Sequence, residues 1–182
     1  MKLNVKRDTI SFGTNILNLT VPKKLRERYK CDIPFIDDAF GGEGFTPSTM
    51  TLFTGEPGAG KTTLMLTLAD ALTGMGYLCL FNTAEESLYQ VKMTCERLEL
   101  LNGFVAGHES YVPRLLKQCN RLRANYPQKQ FFLIVDSLQT LNDGKYGEDH
   151  VNGQSAVRSL QMLTDYAKEY YVNIICIGQV NK

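Results

Sequence analysis

The sequence predicts an α/β domain in which a mostly parallel central sheet is flanked by helices, and three observations lead there. Strand-like apolar runs at residues 50–54, 77–81, 131–135 and 172–177 alternate with stretches of helical periodicity. The run at 77–81 is continuously apolar, as strands covered on both faces are. A glycine-rich turn joins the first strand to the first helix.

Taken in order, Met50, Thr51, Leu52, Phe53 and Thr54 form the first strand, and the following helix over residues 62–73 carries Leu64, Leu68, Ala71 and Leu72 at helical spacing. Gly74 and Gly76 end that helix before the strand at 77–81. Residues 87–101 read as a second helix. Val112, Leu115, Leu116, Cys119 and Leu122 form an apolar stripe on a third, which Pro127 stops. The run Phe131-Phe132-Leu133-Ile134-Val135 is the most strand-like in the chain. A polar loop and a helix over 156–170 lead to the β-branched run at 172–177. Such an order implies right-handed crossovers within one sheet. The division expected is an N-terminal basic or interface segment over residues 1–30 and one core over 31–182.

Between the first strand and helix lies Gly55-Glu56-Pro57-Gly58-Ala59-Gly60-Lys61-Thr62, a full GxxxxGK[ST] phosphate loop in the context its mechanism needs. Glycines let the backbone close around phosphate oxygens, and the helix N-terminus turns free N–H groups and positive dipole toward the anion. Lys61 is expected to reach the β- and γ-phosphates of ATP, Thr62 to ligate Mg²⁺, and Thr63 to touch the α-phosphate. The magnesium shell calls for a carboxylate, and Asp136 ends the apolar run where that acid should fall. Ser137 beside it is placed to meet the metal-bound waters. A water-activating carboxylate is expected after the neighbouring strand, where Glu85 is preferred and Glu86 remains the alternative, as a helix-capping or solvated acid. Gln179, after the last strand, is placed to sense the γ-phosphate, with an ordinary polar residue as the competing reading.

Several stretches together resemble the ATPase core of the RadA/Sms family, RecA-related bacterial DNA repair proteins. They are Phe40-Gly41-Gly42, the phosphate loop with Thr63, Ala84-Glu85-Glu86-Ser87 with Gln90, Asp136-Ser137-Leu138-Gln139-Thr140-Leu141, and Ala167-Lys168 before Gly178-Gln179-Val180-Asn181-Lys182. The resemblance runs from about Cys31 to Lys182, and its most specific parts are Asp136-Ser137-Leu138-Gln139-Thr140 and Glu85-Glu86-Ser87. The closing Gly-Gln-Val-Asn-Lys is also similar to DnaB-type replicative helicases, and Ile33-Pro34-Phe35-Ile36-Asp37-Asp38 to KaiC-like ATPases. The resemblance implies a RecA-like P-loop fold and DNA-stimulated ATP hydrolysis in recombination or repair. It further implies single-stranded DNA as partner, self-association into a ring or filament, and the cytoplasm of a bacterial or phage-infected cell. A DnaB-type helicase motor and a nucleotide-gated, KaiC-like assembly protein are the alternatives.

The family also carries an N-terminal four-cysteine zinc finger, and beyond the sensor strand a DNA-binding loop and a protease-like domain. No paired cysteines precede the core here, so zinc is not expected. The chain is read as ending after the sensor strand, a fragment or compact relative without the strand that RecA-type sheets place beyond the first. Residues 9–20, with Ile10, Phe12, Ile16, Leu17 and Leu19, are candidates to cover that edge or to pack on a neighbouring subunit. RecA-like motors complete the site with an Arg or Lys from the adjacent subunit, a group that in the resembling family lies beyond the sensor strand; Lys182 is the terminal candidate here, and the chain is expected to bind ATP yet hydrolyse it slowly.

Composition bounds the rest. Lys+Arg 20 against Asp+Glu 19, a net charge of +1, leaves nucleic-acid contact to local patches. Lys23, Lys24, Arg26, Arg28 and Lys30 form such a patch with Glu27 as its one acid, although a solvated or subunit-facing linker is the better reading. Arg114, Lys117, Arg121 and Arg123 decorate the third helix, and a polar loop over 142–154 holds Lys145 together with Asp143, Glu148 and Asp149. His108 and His150 lack metal-ligand spacing. Cys31, Cys79, Cys95, Cys119 and Cys176 are odd in number and widely spaced, which favours reduced cytosolic thiols over a disulfide framework. No signal peptide or membrane span is read, since no window approaches the ~18 apolar residues one needs.

Overall fold

Five strands, β1 (Met50–Gly55), β2 (Leu78–Thr83), β3 (Val105–His108), β4 (Phe131–Asp136) and β5 (Asn173–Gln179), form one parallel sheet in the order β1-β5-β4-β2-β3. This architecture comes from a computed structural model that describes residues 12–147 and 152–179. Parallel neighbours cannot be joined by hairpins, so the chain crosses between them through helices. These are α2 (Lys61–Gly74), α3 (Leu88–Arg97), α4 (Val112–Asn125) and α5 (Gly153–Tyr170), after a short α1 (Pro34–Ala39). Thr9, Ile10, Glu148, Asp149, His150, Val180, Asn181 and Lys182 lie outside the described residues.

The continuous apolar runs are explained by what covers the two faces. Phe131, Leu133 and Val135 of β4 pack with Leu115 of α4 and Leu163 of α5, while Phe132 and Ile134 between them turn to the other face and meet Met65 and Leu68 of α2. A strand buried on both sides has no polar position to alternate. Asn173 sits at the start of β5 at 0% exposure and is fully occupied there: Gln130 Nε2 donates to its Oδ1 (2.8 Å), and its own Nδ2 donates to the Thr46 carbonyl (2.6 Å) and Thr49 Oγ1 (2.8 Å).

Among the described residues the structure adds a strand and an α-helix to the sequence reading and shortens another helix. β3 is an edge strand whose residues are mostly exposed, so it carries no apolar run. α1 is six residues long, too short to show periodicity. α3 stops at Arg97 because Glu99 takes a left-handed φ of 53°, with its N–H on the Glu96 carbonyl (3.0 Å) and the Leu100 N–H on the Cys95 carbonyl (3.1 Å). The packing also reaches past the expected boundary at residue 31. Tyr29 exchanges backbone hydrogen bonds with Phe45 at 3.0 and 2.9 Å and sets its ring against Tyr77 and Phe132. Phe12, Ile16 and Leu17, by contrast, stand exposed rather than against the core.

Phe132 is the hinge of that aromatic cluster, 0% exposed with Tyr29, Phe45 and Tyr77 rings at 6.1, 5.5 and 5.4 Å. Phe132→Ala is expected to cost about 3–5 kcal/mol of stability. Urea unfolding checks this, and a loss under about 1 kcal/mol would show that the ring is not packed as described.

Candidate functional site

All five strands point the same way, so their C-terminal ends share one edge, where ligands of open parallel sheets bind. Gly55, Thr83, Asp136 and Gln179 end β1, β2, β4 and β5 there. The register sets Gly55 opposite Gln179 and Thr83 opposite Asp136.

The loop leaving β1 runs through Gly58 and Gly60 at φ 78° and 79°, conformations that only glycine adopts without strain. Gly60 caps α2 in that left-handed state, and no side chain caps the helix. The first-turn N–H groups of Lys61, Thr62 and Thr63, which have no acceptor within the helix, therefore face the loop together with the positive end of the dipole. Lys61 Nζ donates to the carbonyls of Gly55 (2.9 Å) and Glu56 (2.7 Å), so its ammonium lies on the loop. Glu56, Pro57 and Ala59 are exposed loop positions.

Thr62 Oγ1 donates to Asp136 Oδ2 at 2.7 Å, joining the start of α2 to the end of β4 across 74 positions of sequence. Asp136 is only 6% exposed. Burial pushes its carboxyl above the ordinary range; the Thr62 hydrogen bond pulls it back, Glu85 and Glu86 push it up again, and Lys61 lowers it. A buried carboxylate beside a hydroxyl is an all-oxygen donor pair, which suits magnesium.

The turn after β2 brings the second acid to the same place. The Ala84 N–H bonds the Asp136 carbonyl (3.1 Å), and Thr83 Oγ1 accepts from the N–H groups of Glu85 (3.3 Å) and Glu86 (3.1 Å). The Ser137 hydroxyl donates to the Glu85 carboxylate. Glu86 has no side-chain hydrogen bond among the described residues. Ser87 caps α3 instead, in a capping box with Gln90. Gln139 Nε2 donates to the Gln179 carbonyl at 3.3 Å, tying the turn after β4 to the end of β5. Thr83 and Gln139 had no role in the sequence reading; a hydroxyl ending a strand before a turn is the one local signal Thr83 offers.

The remaining candidates are spread elsewhere. Asp143 in the polar loop pairs with Arg158 of α5, which holds its carboxyl below the ordinary range. Lys145 lies over the Tyr146 ring at 5.3 Å. In the N-terminal patch, Lys24 bonds Glu27 and the Tyr29 hydroxyl, each at 2.7 Å. On α4, Arg114 meets Glu109 at 3.3 Å and Arg123 lies over Tyr170 at 4.6 Å, while Lys117 and Arg121 are exposed. His108 is exposed at the end of β3. All five cysteines are free thiols, and burial pushes Cys31 and Cys119 up to about 12, which leaves them poor nucleophiles. Among the described residues no helix is long and apolar enough to cross a membrane.

Comparison with known proteins agrees with this geometry. The family described as AAA domain matches residues 46–181. DNA repair protein RadA of Aquifex aeolicus is 29% identical over 162 residues, covering 88% of this chain and 34% of the relative. RadA of Streptococcus pneumoniae is 31% identical over 173 residues, covering 90% and 39%. The chain thus spans little more than a third of either. A solved DnaB-like replicative helicase superposes with a TM-score of 0.68 at 13% identity, covering 86% of this chain and 45% of that one. A further ATPase domain superposes at 0.70 and 14% identity, over 86% of this chain and 65% of its own. The chain belongs to the AAA-domain family and has the fold of a RecA-like P-loop ATPase domain.

Proposed function

We propose that the chain is a magnesium-dependent, DNA-stimulated ATPase that works in DNA repair or recombination, a reading supported by its likeness to relatives named DNA repair protein RadA. The single observation that supports the chemistry best is the contact of Thr62 with Asp136 at 2.7 Å, with Glu85 fastened beside it by Ser137. The repair assignment rests on relatives 29% and 31% identical across 88% and 90% of the chain. Single-stranded DNA and a ring or filament of copies belong to the same proposal.

In this reading the loop of Gly55, Glu56, Pro57, Gly58, Ala59 and Gly60 wraps the phosphates with its backbone. Lys61 neutralises the β- and γ-oxygens, and Thr63 meets the α-phosphate. Thr62 and Asp136 would hold a magnesium ion, which would supply charge neutralisation at the phosphates. Glu85 orients a water and takes its proton as the water oxygen bonds the γ-phosphorus and ADP departs. Gln179, on the strand beside the loop, reads the γ-phosphate.

Steady-state hydrolysis with and without magnesium and single-stranded DNA tests the proposal. Lys61→Ala should weaken ATP binding in calorimetry and abolish turnover, because the γ-phosphate loses its fixed cation. Native turnover indifferent to DNA would sink the repair assignment, and strand unwinding in a duplex assay would favour a helicase motor.

Glu85→Gln should leave ATP affinity near native and slow hydrolysis by about 10²-fold or more. The same loss in Glu86→Gln, with Glu85→Gln unaffected, would reverse the choice between the two acids.

Asp136 also makes a stability prediction. Its carboxyl is raised above the ordinary 3.8, so the folded chain holds that proton more tightly than the unfolded one. Ionising it costs stability, a cost that grows as pH rises from 3.8 through the raised value. Asp136→Asn keeps an oxygen for Thr62 to donate to and removes the charge. With chelator present it should melt above the native chain at neutral pH and equal to it in acid, while losing magnesium-dependent turnover. A melting temperature below native at neutral pH would contradict this.

A further inference from the structure

Ser137 is 1% exposed, and the backbone around it is committed. The Asp136 carbonyl receives the Ala84 N–H at 3.1 Å, and Ser137's own carbonyl receives the N–H and hydroxyl of Thr140 at 3.3 and 2.7 Å. Its hydroxyl is left with one partner among the described residues, the Glu85 carboxylate 52 positions away in sequence. Glu85 itself is exposed at the surface of the turn, with its N–H held by Thr83 Oγ1. The peptide is thus fixed by one hydroxyl and the carboxylate by another.

An exposed glutamate without such a partner samples many rotamers. A general base must instead hold its oxygen within hydrogen-bond reach of one water, and misplacement by about 1 Å can cost 10²-fold in rate. Ser137 donates to one carboxylate oxygen and leaves the other for that water. Glu86, one residue on, has no such anchor.

We infer that Ser137 is a positioning residue for hydrolysis, setting the direction of the Glu85 carboxylate. This deepens the reading of Glu85 as the base and rests on it. The inference goes beyond the placement of Ser137 among metal-bound waters, because it assigns the hydroxyl to the second acid.

A double-mutant cycle on the full chain tests it, with kcat and KM for ATP measured in magnesium for native protein, Ser137→Ala, Glu85→Gln and the double variant. Ser137→Ala should lower kcat by about 10-fold with KM within about 2-fold, since ATP binding does not pass through Glu85. In the Glu85→Gln background the same change should have no further effect. Ser137→Cys, nearly isosteric and a weak donor, should be slowed as well, and it serves if the alanine variant does not fold. A native kcat for Ser137→Ala beside a slow Glu85→Gln overturns the inference while leaving Glu85 as the base. Equal slowing by Ser137→Ala in both backgrounds also overturns it, since the hydroxyl would then act elsewhere. A native rate for Glu85→Gln overturns the base reading and the inference together.

Discussion

The parallel pairing of β2 with β4, Thr83 opposite Asp136, is the constraint on which the candidate site depends. These two residues end neighbouring strands at one edge, so the turn that follows each strand starts beside the other. The Ala84 N–H closes on the Asp136 carbonyl, Thr83 gathers the N–H groups of Glu85 and Glu86, and Ser137 reaches the Glu85 carboxylate. A slip of one residue would send Phe132 and Ile134 to the face now held by Leu133, against helices with a different outline. The register is therefore held by the two cores, and the placement of the acids follows from it.

How much of this was legible in the sequence depends on whether a feature is local or formed by contact. The phosphate loop was legible because its conformation is written in glycines at Gly58 and Gly60, and the end of α2 because Gly76 takes φ 88° there. The end of α3 was not, although it has the same two capping bonds, because its left-handed residue is Glu99 and carries no such mark. β3 was hidden for a different reason: Val105 and Ala106 are exposed at the sheet's edge, and no apolar run betrays a strand that buries little. β2, β4 and β5 were plain, because burial on both faces leaves a continuous apolar signature.

The site itself divides in the same way. Lys61, Thr62 and Asp136 could be named from strand ends and motif spacing, and the structure brings Thr62 and Asp136 into contact. The preference for Glu85 over Glu86 draws on position alone, since adjacent residues in a turn point in unrelated directions and spacing carries no side-chain contact. Among the described residues the Ser137 hydroxyl bonds Glu85 and not Glu86, a contact that links positions 52 residues apart. The contribution of Arg158 was invisible for the same reason: the loop's acid Asp143 counts against a phosphate-binding surface by composition, yet its charge is taken up by a helix fifteen positions on.

Electrostatics explains why the two halves of such a site call for ligands of opposite charge. Asp136 is buried and faces two further carboxylates, while the hydrogen bond from Thr62 and the charge of Lys61 oppose their effect only in part, leaving its carboxyl raised. Packing alone would favour an apolar residue at the end of a strand as buried as β4. A carboxyl kept there is a local conflict between stability and use, of the kind that marks functional sites. A divalent cation resolves it from the metal side, because the charge that burial disfavours becomes the charge that binds. A phosphate chain on the loop resolves the complementary excess at the start of α2, where uncapped N–H groups and Lys61 gather positive potential. In the proposed reading each ligand carries the charge opposite to that of the half that binds it, so nucleotide with metal would satisfy both halves at once.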